Sequence, residues 1–506
     1  MDTDKREIFF DKENLISSSL IYPFLNPCLS VIISTDLFCG LLNFKPGSKI
    51  DIFAEMHEIA LNAEELIFRC LAQPSEKLTI LDSCGSRLGN SRYLIAGINP
   101  IESFEFFCRT KSDAETVLHF LDEKLESRKR HSTFLLDSGV CAATFAYEFG
   151  TLFENLEQRP KEFQVFEQPS ATFDFYETLI VHDYQTGKTF AVGKQFAQTA
   201  RLLEKARAES TFNRPKSISV KSNFSKSDYL QAINQIRKHI AAGNIYQANL
   251  TQQFLLESEE KISPESVFLH LRKSHPAPFA AFIRRKNDCI VSASPERFLK
   301  VQSPKSEAKS GRIVTTSPIK GTRRRGKTPE EDLLLRRELQ QSRKDRAENV
   351  MIVDLLRNDL GRVCEFGSVK VEKLCEIEEY PTLFHSVSTV SGRLRENAKA
   401  SDLIKAAFPC GSITGAPKVR AMQILDEIET APRGISMGAI GYFGFDGSVD
   451  LNVAIRTAAV RENQAVLNVG GGIVFDSEPE AEYEESLIKT KALFDSFGVT
   501  DFRFTT

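Results

Sequence analysis

Short runs of β-prone residues, joined in pairs across polar turns, recur along the chain. Three pairs have this form: Thr178–Val181 with Thr189–Val192, Ala280–Ile283 with Ile290–Ala293, and Leu451–Val460 with Ala465–Val469. Runs so close in sequence form antiparallel hairpins, whereas parallel strands need a longer crossover. Long helical patterns separate the hairpins. The sequence therefore predicts an α+β fold, an antiparallel-rich α/β sandwich with helices flanking the sheets, rather than a doubly wound parallel sheet.

One helix start is clearly marked near the middle of the chain. Ser225 and Asp228 form a pattern like a capping box, apolar residues follow at helical spacing, and Gly243 supplies a stop. The stretch Ala206–Ser227 is rich in Ser, Asn and Lys, which is typical of a surface connection. We therefore expect two domains, covering residues 1–215 and 225–500.

The charge balance excludes one large class of partner. The 506 residues include 65 Lys+Arg and 68 Asp+Glu, so the formal net charge is −3 and no nucleic-acid partner is expected. The most apolar stretch, Leu20–Cys39, is interrupted by prolines and Asp36, so no membrane partner is expected either. The N-terminus lacks an apolar signal segment, and the ten cysteines form no C-x-x-C pair. The sequence thus predicts a cytoplasmic protein without a disulfide scaffold or a zinc ribbon.

A match to the P-loop pattern is misleading. Gly321–Thr328 reads GTRRRGKT, and Val350–Asp354 could pass for a Walker B strand. A P-loop requires an uninterrupted strand before it and a helix that begins at its Gly-Lys-Thr, but Pro318 breaks the first and Pro329 follows Thr328 directly. Thr328 is better interpreted as an N-cap with Pro329 at the first helical position. We therefore disfavour a nucleoside triphosphatase.

A helical stripe of charges near the C-terminus is a candidate metal site. Start signals at Ser477 and Pro479 predict a helix, in which Glu482, Glu485 and Lys489 share one face. Two carboxylates that converge with a third can hold Mg²⁺, which prefers hard oxygen ligands. A solvated Glu485–Lys489 pair on a helix surface explains the same residues.

Three further patterns favour an anion-binding pocket. Val466–Val474 places three glycines between apolar runs, where bare N–H groups could meet an anion, although a tight turn would explain them as well. Cys410–Arg420 leads from small residues into a helix start. Lys320 ends an apparent strand, where it could be a solvated lysine or a nucleophile. Together these patterns predict a pocket for a small, multiply anionic substrate and a divalent metal, and they leave the substrate open.

The same residues belong to seven ordered motifs that resemble those of one enzyme family. The motifs are SASPERF (292–298), PIKGT (318–322), KDRAENVMIVDLLRNDLGRV (344–363), FPCGSITGAPKVRAM (408–422), GYFGFDG (441–447), AIRTA (454–458) and GGGIVFDSEPEAEYEE (470–485). From about Ser225 to Gly498 the chain resembles the chorismate-utilising enzymes, the family of the anthranilate synthases and aminodeoxychorismate synthases. The resemblance weakens over the first half. It implies a fold of the anthranilate synthase component I type, with the active site in a cleft.

The resemblance implies a role for individual residues. Mg²⁺ is the implied cofactor, with Glu348, Glu482 and Glu485 as its ligands, and it would neutralise the ring carboxylate of chorismate. Glu296 matches the general acid that protonates the departing hydroxyl, and His385 matches a histidine near the ring. The groups implied to bind the substrate are Gln247, Gly321, Thr322, Thr414, Gly415, Tyr442, Arg456, Gly470, Gly471, Gly472 and Lys489.

Two positions discriminate among members of the family. Isochorismate and salicylate synthases carry a lysine base at the position of Gln247, and a glutamine cannot deprotonate water. Anthranilate synthases usually have alanine at the position of Lys320. The resemblance therefore implies amination of chorismate at C4, in which Lys320 adds to C2 and ammonia then attacks C4 and expels it. Amination at C2, which leads to anthranilate, is the alternative, and a chorismate or tryptophan sensor without catalysis is a remote one.

Two further features follow from the resemblance. The chain has no G-x-C-x-G-x-Q element, so a separate glutamine amidotransferase subunit is the implied source of ammonia. A possible tryptophan pocket matches the family at Leu81 and Asp82, with glutamate usual at the position of Asp82. The remaining residues of this pocket are Ser83, Asn90, Ser91, Arg92, Tyr93, Pro278, Phe279 and Ala280.

Overall fold

Strands in this protein pair only in the antiparallel sense throughout the residues that the structure describes. The structure is a computed structural model, and it describes residues 56–85, 92–130, 138–154, 156, 159–205, 212–215, 217–302, 311–380 and 383–499. The expected antiparallel-rich fold is thereby confirmed. The described residues belong to one compact unit.

The strands are short, and most of them follow one another through hairpins. They are β1 Met56–Ile59, β2 Leu78–Asp82, β3 Tyr93–Ile98, β4 Glu102–Phe106, β5 Val140–Phe145, β6 Ala171–Tyr176, β7 Thr178–Asp183, β8 Lys188–Gly193, β9 Ser219–Ser222, β10 Gln247–Glu257, β11 Phe279–Arg284, β12 Cys289–Ser294, β13 Arg297–Val301, β14 Ile313–Ser317, β15 Ile319–Arg324, β16 Lys370–Glu379, β17 Leu383–Arg393, β18 Gly415–Ala416, β19 Ala439–Gly444, β20 Val449–Val453, β21 Thr457–Arg461 and β22 Gln464–Ile473.

The helices lie between these strands in the sequence. They are α1 Ala63–Leu71, α2 Lys111–Ser127, α3 Tyr147–Thr151, α4 Phe196–Lys205, α5 Lys226–Ala241, α6 Pro264–Ser274, α7 Pro329–Gln341, α8 Arg343–Gly361, α9 Ala400–Ala407, α10 Lys418–Ile428 and α11 Pro479–Phe497. Within the described ranges no helix combines the length and the apolar composition that crossing a membrane requires.

Two sheets carry all of the named strands. The first has the order β1-β8-β7-β3-β2-β11-β12-β21-β22-β10-β18, with β9 also paired to β10. The second has the order β15-β17-β14-β13-β20-β19-β5-β6-β4, with β16 also paired to β17. Strands from both halves of the chain share each sheet. The domain boundary expected between residues 215 and 225 stays a prediction.

The core shows how the sheets and helices are layered. One cluster of buried side chains joins Ala281 of the first sheet to Ile440 of the second, and another joins Ile95 to Ala142. The two sheets therefore face each other. Phe282, the next residue along β11, belongs to a different cluster because alternate strand residues point to opposite faces. On these outer faces, α1, α6 and α11 cover the first sheet, and α2, α8 and α9 cover the second.

Two of the three predicted hairpins are confirmed, by β7 with β8 and by β11 with β12. The third is only partly right, because the run Leu451–Val460 is not one strand. It is divided between β20 and β21 by a segment in which Arg456 has a φ of +50°. A side chain in this left-handed region is strained, and the strand cannot continue through it.

The other local signals behave as the sequence predicts. Ser225 caps α5 by accepting a hydrogen bond from the Asp228 N–H, and Gly243 has a φ of +72° just beyond the end of that helix. Thr328 caps α7 by accepting from the Glu331 N–H, with Pro329 as the first helical residue. The helix thus begins after the Gly-Lys-Thr of the P-loop match, and the Walker B match lies inside α8.

Candidate active site

The candidate site lies where β15 and β17 of the second sheet approach β10 and β22 of the first. Lys320 and Thr322 lie in β15, which pairs with β17 so that Thr322 is opposite His385. Gln247 begins β10, which pairs with the glycine segment of β22. Two helices complete the site: α8 carries Glu348, and α11 carries the other two expected metal ligands.

A charged pair lies at the centre of the site. Lys320 Nζ donates to Glu348 Oε1 at 2.7 Å and to the Ser412 carbonyl at 3.2 Å. Burial alone would lower the pKa of Lys320, but Glu348 and then Glu296 outweigh it and raise that pKa. Burial would likewise raise the pKa of Glu348, which Lys320 and a hydrogen bond from Gln247 lower instead. Both groups are therefore charged in this state.

Glu296 is the second acid near Lys320, and it behaves differently. Burial raises its pKa to about 7, although a hydrogen bond with Ser412 and the charge of Lys320 oppose the shift. Its Oε1 atom is buried without a hydrogen-bond partner. A carboxyl group with this pKa is partly protonated at neutral pH, and it can therefore donate a proton to a bound substrate.

A neutral histidine and a cation without a carboxylate partner lie close together. Thr322 Oγ1 and His385 Nδ1 are 2.8 Å apart. Burial, together with the charge of Arg456, lowers the pKa of His385 to about 3, so the ring is neutral. No carboxylate within the described ranges forms an ion pair with the Arg456 guanidinium, whose pKa burial lowers. A buried cation of this kind is stabilised by an anionic ligand.

The glycine segment, Gly470–Gly472, lies inside β22, not between two strands as the sequence suggested. A Cβ at Gly472 would lie 2.1 Å from Gln247 Nε2 and 2.6 Å from Glu348 Oε1, so a larger residue there would displace the ends of these two side chains. Pairing with β21 ends at Leu467, whereas pairing with β10 continues to Ile473. Alternate N–H groups of the segment thus face a side of β22 without a paired strand, where they can bind an anion.

Each of the three expected metal ligands is paired with a different lysine. The pairs are Glu348 with Lys320 at 2.7 Å, Glu482 with Lys344 at 3.2 Å, and Glu485 with Lys489 at 2.9 Å. The last is the helix-surface pair that the sequence offered as the alternative. Lys489 Nζ also donates to the Gly470 carbonyl at 3.0 Å.

The donor set suits Mg²⁺ in its chemistry, because it offers carboxylate oxygens and no sulfur. A Cβ at Gly471 would lie 3.4 Å from Glu482 Oε2, and one at Gly472 would meet Glu348, so both acids face the same glycine segment. In the described part of the chain, however, no three His, Cys, Asp or Glu side chains are gathered closely enough to hold an ion. The expected magnesium site therefore stays a proposal.

Four residues expected to bind the substrate have mainly structural contacts. Gly321 has a φ of +90°, and a Cβ there would lie 2.9 Å from the Asp345 side chain. The Thr414 hydroxyl donates to two carbonyls of its own loop, and Gly415 pairs with β10. Tyr442 packs against the same cluster of buried side chains as Leu81 and Tyr93, which places it towards the expected tryptophan pocket.

Several residues named for the possible tryptophan pocket lie near one another, and the pocket itself stays a prediction. Asp82 of β2 pairs with Ala280 of β11, next to Phe279 and Pro278, and Tyr93 begins the neighbouring β3. The side chain of Asp82 is already engaged, because Arg272 Nε donates to it at 2.6 Å and the Tyr184 hydroxyl at 2.7 Å. Ser83 is buried, and Arg92 forms an ion pair with Asp183. Asn90 and Ser91 lie outside the described residues.

Three residues of the site were not predicted from the sequence. Ser412 contacts both Lys320 and Glu296, and Lys344 contacts Glu482. Arg433 donates to the Ile413 and Asn249 carbonyls at 2.7 Å each and so fixes the loop that carries Ser412. Ser412 and Lys344 lie inside recognised motifs, and Lys344 lies one helical turn before Glu348, which was an available signal.

A site with a guanidinium that has no carboxylate partner among the described residues, a buried acid that is partly protonated at neutral pH and a nearby lysine suits a small molecule with several negative charges. Residues 79–495 match the model of the chorismate binding enzyme family, and the chain therefore belongs to that family.

Individual relatives carry two different names. Anthranilate synthase component 1 of Aquifex aeolicus (strain VF5) is 36% identical over 386 residues, which cover 72% of this chain and 75% of that protein. Aminodeoxychorismate synthase component 1 of Escherichia coli (strain K12) is 37% identical over 385 residues, 76% of this chain and 82% of that protein. A protein named probable aminodeoxychorismate synthase, chloroplastic, from Oryza sativa subsp. japonica is 46% identical over 270 residues, but these cover only 29% of its length and 53% of this chain.

A solved structure confirms the fold. Anthranilate synthase component I from Streptococcus pneumoniae TIGR4 superposes with a TM-score of 0.69 at 30% identity, over 80% of this chain and 92% of that one. The expected fold of the anthranilate synthase component I type is thus correct.

Proposed function

We propose that this chain aminates chorismate at C4 and forms 4-amino-4-deoxychorismate, a precursor of para-aminobenzoate and folate. The observation that carries the proposal is the position of Lys320, which lies beside Glu348 and within electrostatic reach of Glu296. The proposed nucleophile and the proposed acid thus lie close enough for their charges to interact. The relative from Escherichia coli, named aminodeoxychorismate synthase component 1, supports the same activity.

In the proposed reaction, different residues of the chain bind the substrate, donate the proton and act as the nucleophile. Arg456 and the N–H groups of the glycine segment bind the substrate carboxylates. Lys320 transfers one proton to Glu348 Oε1, to which it already donates a hydrogen bond, and the resulting neutral amine adds to C2. At the same time the ring double bonds shift and Glu296 donates its proton to the C4 hydroxyl, which leaves as water. Ammonia then forms the C–N bond at C4, the double bonds shift back, the bond between C2 and Lys320 breaks, and the lysine amine recovers its proton from Glu348. A tethered amine reaches an effective molarity on the order of 10⁵ M, so ammonia in solution cannot compete with it at C2.

We include Mg²⁺ in the proposal, with Glu348, Glu482 and Glu485 as the side chains that would hold it. The ion, when bound, would neutralise a substrate carboxylate and so favour departure of the hydroxyl. Glu348 supports this role because both hydrogen bonds it accepts from the described residues end on Oε1, which leaves Oε2 for an ion.

We also propose a glutamine amidotransferase subunit as the source of ammonia, since the sequence lacks a G-x-C-x-G-x-Q nucleophile element. The name "component 1" of the Escherichia coli relative supports a second component. The cytoplasm is the proposed location, because all eight cysteines that the structure describes are free, as is usual in a reducing compartment.

Product identification tests the proposal. Purified chain is incubated with chorismate, MgCl₂ and an ammonium salt, an aminodeoxychorismate lyase is added, and the aromatic product is identified by chromatography. We expect para-aminobenzoate. Anthranilate formed without the lyase would instead establish C2 amination, the second candidate, which the names of the Aquifex and Streptococcus relatives favour.

A variant of Lys320 tests whether this residue directs ammonia to C4. Lys320→Ala should lower para-aminobenzoate formation by about 10³-fold or more, or move the amino group to C2, because the tethered amine is lost. Lys327→Ala is the control, since Lys327 is an exposed lysine seven residues further on. Unchanged C4 amination in Lys320→Ala would show that Lys320 only lines the pocket.

A further inference from the structure

The three carboxylates proposed to hold an ion come from two different helices. Glu348 belongs to α8, whereas Glu482 and Glu485 lie three residues apart on one face of α11. In the present state each has a lysine as its counter-ion. Three negative charges near one another are therefore balanced by three positive charges from the chain itself.

Lys344 differs from the other two lysines. Lys320 also donates to the Ser412 carbonyl, and Lys489 to the Gly470 carbonyl, so both are anchored to the backbone. The one hydrogen bond that the structure gives to the Lys344 ammonium within the described residues goes to Glu482, at 3.2 Å. The side chain of Lys344 is 54% exposed, so it can move into solvent without leaving a cavity.

The position of Lys344 connects the two helices that carry the acids. It lies on α8 one turn before Glu348, so the two side chains share a face of that helix. From there it crosses to Glu482 on α11, which shares a face of that helix with Glu485. Lys344 is thus a cation that links the two helices from which the proposed ligands come.

We propose that Lys344 is an internal counter-ion that occupies the place of the divalent metal, and that the metal binds by displacing its ammonium group into solvent. This inference rests on the metal site of the proposed function. It predicts that Lys344 weakens ion binding, while it holds the acids in place before the ion arrives.

The energetic reason is the repulsion between two cations that compete for the same carboxylates. At a separation of about 4 Å and an effective dielectric constant of about 20, charges interact strongly enough to change a binding constant by more than tenfold. An ion that enters must either remain beside the ammonium group or displace it. In both cases a neutral side chain at position 344 removes a contribution that opposes ion binding. No covalent step is involved.

Metal binding without substrate tests the inference. Mn²⁺ serves as the probe, because free Mn²⁺ can be counted by electron paramagnetic resonance, and calorimetry with Mg²⁺ gives an independent affinity. Lys344→Gln should bind Mn²⁺ about tenfold more tightly than the wild type. Lys344→Met, which keeps the apolar stem, should do the same, and Lys344→Arg, which keeps the charge, should remain close to the wild type.

Lys226→Gln is the matched control. The side chain of Lys226 is also about half exposed, at 50%, and pairs at 2.8 Å with Glu480. Glu480 lies on α11, as Glu482 and Glu485 do, but it is not one of the three acids. Its loss should leave the Mn²⁺ affinity within about twofold, because exposed charges further away are largely screened by salt. An equal gain in Lys226→Gln and Lys344→Gln would mean that only general surface charge is involved, and would overturn the inference.

A second measurement reports the metal-free state. Without an ion, Lys344→Gln should melt at a lower temperature than the wild type, because three carboxylates then have only two lysines, and added Mg²⁺ should raise its melting temperature more than that of the wild type. Mn²⁺ affinity that is unchanged or weaker in both neutral variants overturns the inference. So does the absence of Mn²⁺ binding to wild type and variants alike.

Failure of the proposed function would look different. If Lys344→Gln binds Mn²⁺ more tightly while the wild type forms no para-aminobenzoate from chorismate, the counter-ion role stands and the proposed reaction is wrong. If para-aminobenzoate forms as expected while Lys344→Gln gains no affinity, the reaction stands and the role of Lys344 is wrong.

Discussion

Two buried pairs of opposite charge contact neighbouring carbonyls of the same loop, and they differ in how completely they are bonded. Lys320, paired with Glu348, donates to the Ser412 carbonyl, and Arg433, paired with Glu429, donates to the Ile413 carbonyl. The side chains of Arg433 and Glu429 are 1% and 7% exposed, and those of Lys320 and Glu348 are 11% and 13% exposed. Both pairs are thus largely removed from water.

The Arg433 pair is the more completely bonded one. Glu429 accepts from two nitrogens of Arg433 and from the backbone and hydroxyl of Thr251, and Arg433 donates two further N–H groups to the Ile413 and Asn249 carbonyls. Four of the five guanidinium N–H groups are thus engaged. A buried ion pair bonded in this way fixes one arrangement of the chain.

The Lys320 pair has neighbours that are not satisfied. Gln247 donates to Glu348, but its Oε1 is buried without a partner, and Oε1 of Glu296 is in the same condition. Most buried polar atoms in folded proteins have partners, so the exceptions require an explanation. Here a substrate would supply the missing partners. The comparison suggests that the Arg433 pair holds the loop in place, whereas the Lys320 pair takes part in the proposed reaction.

The largest effect on activity is expected from replacing Glu296, the acid near the Lys320 pair. Glu296→Gln should lower kcat by about 10²- to 10⁴-fold, because the amide cannot donate the proton that the C4 hydroxyl requires. The free energy of unfolding should change little, since glutamine fills the same volume. Steady-state kinetics of para-aminobenzoate formation and urea unfolding followed by circular dichroism measure the two quantities. A variant with undiminished kcat would remove Glu296 from the mechanism.

The second prediction concerns stability, which should depend more on the Arg433 pair than on the Lys320 pair. Glu429→Gln should lower the free energy of unfolding by about 3–5 kcal/mol, because Arg433 is left as an unpaired buried charge. Glu348→Gln should cost much less stability, since its pair is more exposed and Lys320 can turn towards Glu296. The urea midpoints of the two variants give the comparison directly. Equal losses would mean that the distinction between the two pairs is wrong.

The sequence predicted those parts of the molecule that depend on local pattern. The β7–β8 and β11–β12 hairpins and the cap of α5 at Ser225 all follow from residues near one another in the chain. The break at Arg456 was missed because apolar alternation continues through it and because an arginine in the left-handed region has no sequence signature. Glycine would have given one.

The residues of the site were predicted through their motifs, but the contacts between them were not. Lys320 and Glu296 were identified by resemblance, but their link through Ser412 depends on how the loop folds back. Arg433 reaches Asn249, a residue 184 positions earlier, and no local pattern contains that information. The glycines of β22 were expected between strands, since glycine usually interrupts a strand, and the close approach of the Leu250 carbonyl to Gly470 explains why glycine is needed there.

The third prediction concerns pH. Burial raises the pKa of Glu296 to about 7, and in the proposed reaction the protonated form is the active one. At a constant concentration of free NH₃, kcat/KM for chorismate should be level below pH 7 and should fall about tenfold per pH unit above it. His385 has a pKa of about 3 and should add no limb near pH 6.5. An activity that instead rises through pH 7 would require the ionised carboxylate.

The smallest effect is expected from Thr322→Val. Thr322 Oγ1 lies 2.8 Å from His385 Nδ1 and so fixes the tautomer and orientation of a ring that is otherwise held by packing. Valine keeps the shape of the side chain but loses this hydrogen bond, which should lower kcat about threefold to tenfold, the usual net contribution of one such bond. The pH profile should not move, because burial and Arg456, which lower the pKa of His385, are both unchanged. A new limb near pH 6.5 in this variant would show that Thr322, rather than burial, keeps the ring neutral.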